Sequence, residues 1–335
     1  MTTAQPPSPE LFMQTLWAYQ RTAAIRTAVE LDVFSAIDAG ADTPEAIARH
    51  CAASERGTRI LCDYLAMLGF LVKTSGRYAL TPDSATFLVK RSPAYMGGVT
   101  EFLMSDAIVR NLDKLADTVR RGTVLPNANI VSEENPVWEA FARAMVPMMG
   151  PAGQEMAGLL ADEKGGRQRV LDIAAGHGLF GIAIAQRNPH AEVVAVDWPR
   201  VVAVASENAA RLGVDARHQT IAGDAFSTDW GQGYDLALVT NFLHHFDVPT
   251  CTSLLRKVRA SLGAGGRVAV LEFVPNEDRL GPALPAAFAL TMLAETAGGD
   301  AYTFAELTAM LEDAGFRDVS RHDLHGPETV VVAHV

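Results

Sequence analysis

From residue 169 to the C-terminus, short apolar segments alternate with segments of helical periodicity. This alternation is typical of a doubly wound α/β fold with a mainly parallel sheet. Seven strands are predicted, at residues 170–173, 192–196, 216–221, 234–240, 267–273, 318–322 and 329–333. The main intervening helices are predicted at 179–187, 199–212, 249–261 and 303–314. The last two strands have only residues 324–327 between them, too few for a crossover helix, so the last strand is expected to run antiparallel.

The first hundred residues have a different pattern, with helical spacing over 11–37, a Thr43–Pro44 helix start and a further helix over 54–68. Apolar segments at 70–72 and 78–80 flank a polar turn, which predicts a small hairpin. Two helices and a hairpin indicate a winged-helix arrangement. We therefore expect three regions: a mostly α-helical winged-helix-like domain, a helical linker and a Rossmann-like domain that begins near the Gly-Gly pair at 165–166, with bounds of 1–100, 101–160 and 161–335.

The bulk composition narrows the choice of partner. The formal net charge of −11 disfavours nucleic acid, because each phosphate contact requires a Lys or Arg. Three cysteines without CxxC spacing predict neither a disulfide framework nor a zinc site, and they favour a reducing cytoplasm. The opening MTTAQPPSPE lacks the features of a signal peptide, and no stretch approaches the roughly 20 apolar residues of a membrane span. We expect a soluble cytoplasmic protein.

A glycine turn follows the first strand of the Rossmann-like region. Gly176, Gly178 and Gly181 satisfy G-x-G-x-x-G, which a nicotinamide dinucleotide would also explain. A dinucleotide places its pyrophosphate at the following helix N-terminus, where the carboxylate of Asp172 would repel it. S-adenosylmethionine has no phosphate and carries an ammonium and a sulfonium, so Asp172 favours this methyl donor. The remaining alternative is a strand with purely structural carboxylates.

Two further acids follow the next two strands. Asp197 is expected to hold the ribose hydroxyls of the donor, and Asp224 its adenine amino group, with Phe226 as an apolar wall. Three acids at three successive strand ends are more specific than the glycines alone. The predicted cofactor-binding set is Asp172, Gly176, Gly178, Asp197, Trp198, Asp224, Ala225, Phe226 and Asn241.

A histidine pair follows the fourth strand of this region, at the edge where ligands bind in such folds. Histidine suits a general base because its unperturbed pKa is about 6.5. His244 and His245 are adjacent, so we expect their side chains to diverge. Glu272 ends the next strand, and Asp300 follows a Gly-Gly pair, so either carboxylate is a candidate to orient the base. Metal binding by the two histidines with Asp247 is an alternative, and capping or surface roles are another.

These motifs resemble those of small-molecule O-methyltransferases, typified by plant caffeate-type enzymes and bacterial antibiotic-pathway relatives. The resemblance covers nearly the whole chain and implies a class I methyltransferase fold, with an N-terminal domain that forms a homodimer. Residues 243–246 match the family segment that contains the catalytic base, which implies that His244 is the base. The same resemblance assigns Glu272 to orient the base and Asp300 as the second acid. The resemblance implies S-adenosylmethionine as the methyl donor, and we expect no metal ion at the site. His245 stands where the family has an acidic residue.

The acceptor is expected to be a small molecule with a phenol or enol. A base of pKa about 6.5 facing a phenol of about 10 must supply near 5 kcal/mol, whereas an aliphatic hydroxyl would need about 12 kcal/mol. Placing the reactants together contributes roughly 7–11 kcal/mol, enough for the phenol only. The resemblance likewise implies aromatic or polyketide-type acceptors. The methionine-rich segment 102–149 suits a deformable pocket, for which we predict His245, Met145, Met149 and Met292.

Two alternatives stay open. Carbon methylation of an electron-rich ring would use the same cofactor site and depend less on His244. A winged-helix transcription regulator is the alternative from another class, but residues 1–100 contain nine Lys or Arg and nine Asp or Glu, whereas a DNA-reading domain is expected to have a basic face.

Overall fold

The computed structural model describes residues 7–126, 128–129, 137–162 and 164–335. Residues 1–6, which open the sequence, and residue 163, beside the expected domain boundary, lie outside the described residues. The chain divides into two compact units, Met1–Met104 and Ser105–Val335.

The first unit consists of helices around a small hairpin. Its elements are α1 (Glu10–Glu30), α2 (Val33–Asp38), α3 (Pro44–His50), α4 (Glu55–Met67), β1 (Leu71–Thr74), β2 (Arg77–Leu80), α5 (Pro82–Phe87) and α6 (Val99–Leu103). The predicted helix over 11–37 is interrupted at Asp32, whose φ of 60° is left-handed and cannot continue a helix. The Thr43 hydroxyl accepts the N–H of Ala46, which forms the predicted N-cap of α3. Strands β1 and β2 pair antiparallel, as the hairpin prediction requires.

The second unit begins with α7 (Asp106–Asp113), α8 (Leu115–Arg121) and α9 (Val137–Leu160). Strands and helices then alternate through β3 (Gln168–Ile173), α10 (Leu179–Arg187), β4 (Ala191–Asp197), α11 (Pro199–Arg211), β5 (His218–Ala222), β6 (Tyr234–Thr240), α12 (Val248–Ser261), β7 (Leu262–Glu272), α13 (Ala283–Glu295), α14 (Phe304–Asp313), β8 (Arg317–Asp323) and β9 (Thr329–His334). Short 3-10 turns lie at Asp215–Arg217 and Leu243–His245. The first displaces the predicted start of β5 from residue 216 to His218.

The seven strands of this unit form one sheet in the order β5-β4-β3-β6-β7-β9-β8. All strand pairs are parallel except those of β9, which runs antiparallel to β7 and to β8. This topology confirms the predicted Rossmann-like fold and its antiparallel last strand. The carboxyl ends of β3, β4, β6 and β7 therefore meet at one edge, where the candidate residues lie. None of the helices in the described part of the chain could span a membrane.

Two helical glycines of the second unit provide a test of the packing at that edge. A Cβ at Gly181 would lie 2.7 Å from Val193 Cγ1 and 2.9 Å from Asp172 Oδ2, whereas a Cβ at Gly158 would make only ordinary contacts of 3.8 Å or more with Arg187. We expect Gly181→Ala to lower the free energy of unfolding by about 1–3 kcal/mol through overpacking. Gly158→Ala, the control, should raise it by roughly 0.5–1 kcal/mol, because alanine is the better helix former. Urea denaturation measures both, and an unchanged Gly181→Ala midpoint would contradict the packing.

Candidate active site

The glycine turn after β3 has two glycines with different surroundings. Gly176 and Gly178 both have left-handed backbone, with φ of 57° and 74°. A Cβ at Gly178 would lie 2.9 Å from the Cβ of Ala205, so this glycine permits close packing of α10 on α11. A Cβ at Gly176 would meet no atom within 4 Å. The backbone at Gly176 thus faces open space in which a ligand can approach it closely.

Asp172 lies beneath this turn and is fully buried. Its Oδ2 accepts the N–H of Gly181 at 3.1 Å, and its Oδ1 has no hydrogen-bond partner among the described residues. Burial, with a smaller contribution from the nearby charge of Asp197, raises the pKa of Asp172 to about 7. The structure therefore gives Asp172 a buried oxygen that still requires a positive charge or a donor, although no part of the side chain reaches solvent.

Asp197 ends β4 and connects that strand to the glycine turn. Its Oδ2 accepts the N–H of Gly176 at 2.8 Å, and its Oδ1 accepts the N–H of Trp198 at 2.7 Å. Burial raises its pKa to about 6, and these two hydrogen bonds oppose the shift. A carboxylate has about four lone-pair sites, so Asp197 can still accept from two ligand hydroxyls. The half-buried ring of Trp198 packs with a small cluster around Ala142.

The third acid, Asp224, is in the loop after β5. Its oxygens accept the N–H of Phe226 and the hydroxyl of Ser227, at 3.0 and 3.2 Å. Ala225 is buried, and its carbonyl and that of Phe226 both accept from Lys257 Nζ at 3.0 Å. Lys257 fixes this loop, and no sequence pattern indicated it, because a single lysine in a helix forms no motif.

His244 lies in the 3-10 turn after β6 and is buried against Glu272, the last residue of β7. Its Nδ1 lies 2.5 Å from Glu272 Oε2. Glu272 Oε1 accepts two backbone N–H groups, from Phe242 at 3.1 Å and from His244 at 3.3 Å. A carboxylate at Nδ1 assigns the proton of a neutral imidazole to that atom and leaves the Nε2 lone pair free.

Two rings contact this imidazole. Phe288 of α13 packs edge-on against His244 with ring centroids 4.9 Å apart, and the His245 ring lies 4.2 Å away. We expected the two histidines to diverge; they contact each other because a 3-10 turn does not place neighbours on opposite faces as a strand does. Trp138 packs edge-on against His245, with ring centroids 5.3 Å apart. Burial and the adjacent His244 hold the pKa of His245 well below 6.5, so His245 is neutral.

The remaining predicted residues fall into two groups. Asn241 has a left-handed φ of 51°, and its Nδ2 lies 3.9 Å from Met149 Sδ, while its Oδ1 is buried without a partner among the described residues. Met145, one helical turn before Met149, and Met292 on α13 are also buried. Asp300 has different partners. Its Oδ2 lies 3.4 Å from Arg279 Nη1, and its Oδ1 accepts the N–H of Ala301 at 2.8 Å.

The structure therefore brings His244 and Glu272 together but pairs Asp300 with an arginine. The geometry gives His244 a single carboxylate partner among the described side chains, and a role of Asp300 as a second acid stays a prediction. Those same residues contain no group of three or more His, Cys, Asp or Glu side chains placed to hold a metal ion. Phe288, Trp138 and Arg279 had no sequence signal beyond their residue type. A cleft of about 650 Å³ lies elsewhere, among residues at the amino ends of β3 and β4 that include Arg169 and Glu192.

Comparison with known proteins gives a consistent result. Residues 158–317 match the family model of the O-methyltransferase domain, and residues 13–90 match that of the O-methyltransferase dimerisation domain. The chain is 30% identical to the 3-hydroxy-5-methyl-1-naphthoate 3-O-methyltransferase of Streptomyces sahachiroi, over 91% of this chain and 87% of that protein. It is also 30% identical to the L-tyrosine C(3)-methyltransferase of Streptomyces lavendulae, over 60% of this chain and 56% of that one.

A solved structure extends the comparison to three dimensions. The crystal structure of a putative O-methyltransferase from Nostoc punctiforme superimposes with a TM-score of 0.94 at 49% sequence identity. The match covers 99% of this chain and 100% of that one. Both units described above therefore have counterparts in that protein.

Proposed function

This chain belongs to the O-methyltransferase family, and we propose that it transfers the methyl group of S-adenosylmethionine to a phenol or enol oxygen of a small aromatic or polyketide-like acceptor. The observation that carries the proposal is the pair formed by His244 Nδ1 and Glu272 Oε2, 2.5 Å apart and buried among aromatic rings. This pair leaves one imidazole nitrogen available for a proton in an apolar environment.

S-adenosylmethionine supplies an electrophilic methyl group on a cationic sulfur. The acids at the ends of β3, β4 and β5 fit its chemistry, since Asp197 would hold the ribose hydroxyls and Asp224 the adenine amino group beside Phe226. The open space above Gly176 and the unpartnered Oδ1 atoms of Asp172 and Asn241 also support this fit. A nicotinamide dinucleotide fits less well, because its pyrophosphate would lie over the buried Asp172.

His244 would act as the general base. Its Nε2 would take the proton of the acceptor hydroxyl, and the imidazolium that forms would be stabilised by the carboxylate of Glu272, which also keeps the Nδ1 proton in place. His245, held neutral, would line the acceptor pocket together with Met145, Met149 and Met292. The aromatic rings exclude water and strengthen the His244–Glu272 interaction.

Carbon methylation of an electron-rich ring is the second candidate, since one relative is named as a tyrosine C(3)-methyltransferase. Attack through ring carbon needs less proton abstraction before the methyl moves, so the two candidates differ in their dependence on His244.

We also propose that two chains form a homodimer through the first unit. Its helix α1 exposes large apolar side chains, with Leu11 77%, Phe12 64% and Trp17 55% accessible. Several large apolar side chains exposed along one helix are typical of a protein interface. The proposed location is the cytoplasm, which fits the three free thiols Cys51, Cys62 and Cys251.

The first prediction here concerns the donor. Asp197→Ala should weaken S-adenosylmethionine binding at least about tenfold, because charge-assisted hydrogen bonds are worth roughly 1.5–3 kcal/mol. Asp215→Ala, an exposed acid before the amino end of β5, is the control and should bind normally. Isothermal calorimetry measures both, and tight binding of a nicotinamide dinucleotide to the native chain would refute the donor assignment.

The same calorimetry tests the two raised pKa values. A cation near Asp172 and Asp197 favours their ionised forms, so donor binding releases the protons that these carboxyl groups hold in the free protein. Asp172 holds a proton at or below about pH 7, and Asp197 at or below about pH 6. Donor affinity should therefore fall as the pH is lowered from 8 to 5.5, by up to about tenfold per pH unit for each proton released. Buffers of different ionisation enthalpy should report proton release at pH 6 and little at pH 8. Equal affinity at both pH values would contradict the proposed surroundings of the donor.

The next prediction concerns the base. His244→Ala should lower the O-methylation rate by about 10²–10⁴ with donor affinity nearly unchanged. Glu272→Gln should cost less, because it disturbs the imidazole without removing it, and the exposed His190→Ala is the control. High pH should partly rescue His244→Ala, since a phenol that ionises in solution no longer needs the base. If His244→Ala keeps more than about a third of the native rate at neutral pH, carbon methylation or proximity alone becomes the better account.

The homodimer is tested in the full chain. Light scattering should report twice the 35.8 kDa chain mass for the native protein. The double variant Leu16→Glu, Trp17→Glu places two charges on the exposed face of α1 and should yield monomers at micromolar concentration, whereas Thr86→Glu on α5 should remain dimeric. A native chain that runs as a monomer would refute the interface.

A further inference from the structure

Helix α13 presents one face to the imidazole of His244. Residues four and seven apart share a helix face, so Phe288, Met292 and Glu295 form one stripe. Phe288 contacts the His244 ring, with centroids 4.9 Å apart at 87°. The stripe therefore begins at the proposed base and continues toward the C-terminal end of the helix, where Glu295 lies roughly 10 Å from Phe288 along the axis.

The end of the same helix returns to the same turn. A Cβ at Gly298 would lie 3.1 Å from the Cβ of Asp247, and one at Gly299 would collide with the carbonyl oxygen of His244. The Thr296 hydroxyl accepts the N–H of Gly299 at 2.9 Å and so ties this loop to the helix. Glu295 thus lies between two contacts that α13 and its following loop make with residues 244–247.

Glu295 is a buried carboxyl with unused hydrogen-bonding capacity. Only 2% of the residue is accessible, and its Oε1 has no hydrogen-bond partner in the part of the chain that the structure describes. Burial raises its pKa to about 7. An unsatisfied buried acceptor destabilises the folded protein, and leucine or methionine would be more stable at a core position of this kind on an apolar stripe. A ligand that donates a hydrogen bond to Glu295 Oε1 would explain why a carboxyl group occupies this position.

We infer that Glu295 is a specificity-determining residue that accepts a hydrogen bond from an N–H or O–H group of the acceptor, on the side of the molecule remote from the methylated oxygen. This inference rests on the proposed function. The stripe places an apolar scaffold along Phe288 and Met292, with the reacting oxygen at His244 and the second polar group at Glu295. The separation along the helix suits a flat acceptor of two or three fused rings.

The experiment compares matched acceptors with the full-length enzyme. The probes are naphthols whose second ring carries an amino, a hydroxyl or a methyl group, and kcat and KM are measured for the native chain, Glu295→Gln and Glu295→Met. The native chain should favour the amino or hydroxyl probe over the methyl probe by about tenfold or more in kcat/KM. Glu295→Met should abolish or reverse this preference through KM, with kcat on the methyl probe within about twofold of native. Glu295→Gln keeps an acceptor oxygen and should therefore retain part of the native preference. The exposed Glu312→Gln is the matched control and should match the native chain.

The outcomes separate this inference from the proposed function. If no probe is methylated on oxygen by the native chain while the donor binds, the proposed function fails. If probes are methylated but Glu295→Met retains the native preference, or lowers kcat on all three probes equally, the recognition role is wrong and Glu295 is structural. Thermal melting of each variant shows whether a uniform loss comes from unfolding, and calorimetry with S-adenosylmethionine shows that the donor site is intact.

Discussion

The candidate site depends on one carboxylate. Glu272 ends β7 in the interior of the sheet, where its two oxygens are shared between the Nδ1 of His244 and two backbone N–H groups of the 3-10 turn. The same group therefore holds the loop and orients the ring. Removing it would leave three donors of this turn without a partner, which costs more than the loss of a single hydrogen bond. The Tyr302 hydroxyl, which donates to the carbonyl of Phe246, and the Cys251 thiol, which donates to that of Leu243, secure the turn from the other side.

Near the glycine turn, by contrast, the acidic side chains have no histidine or other basic partner in the described part of the chain. Asp172 is buried and the nearby Asp197 is half-buried, the pKa of each is raised, and in the described part of the chain neither accepts a hydrogen bond from a basic side chain. Each is tolerated because it accepts at least one backbone N–H from the glycine turn. When both carboxyl groups are ionised they destabilise the free protein, and a bound cation would offset this destabilisation. We propose that these acids thereby contribute to selectivity for a positively charged donor.

The parts of this protein that follow local rules could be predicted from the sequence. The seven strands, the antiparallel β9 and the capping box of α14, in which Thr303 and Glu306 exchange hydrogen bonds, follow from periodicity, loop length and residue type. The meeting of His244 with Glu272 was expected because parallel strands bring their carboxyl ends to one edge. Bounds were less predictable: β7 begins at Leu262, five residues earlier than expected, through glycines that no strand pattern favours.

What the sequence did not indicate lies where side chains from distant elements meet. The helix α13 was not among the predicted helices, although its proline at 285 lies in the first turn, where a missing backbone N–H removes no intrahelical hydrogen bond. The partner of Asp300 could not be inferred, because Arg279 follows a loop whose course is set by tertiary packing. Glu272 and Glu295 illustrate the difference: each is 2% accessible, but one ends a strand and has all its oxygens bonded, while the other is on a helix and has a free oxygen. A strand end gives a residue a fixed position at the sheet edge, so chemistry placed there is readable from spacing. A helix face gives its residues only a direction, and what they meet depends on the molecule that enters. We therefore expect residues such as Glu295 to determine which acceptor is bound. Their role could be inferred only from the structure, which shows an oxygen without a hydrogen-bond partner in the described part of the chain.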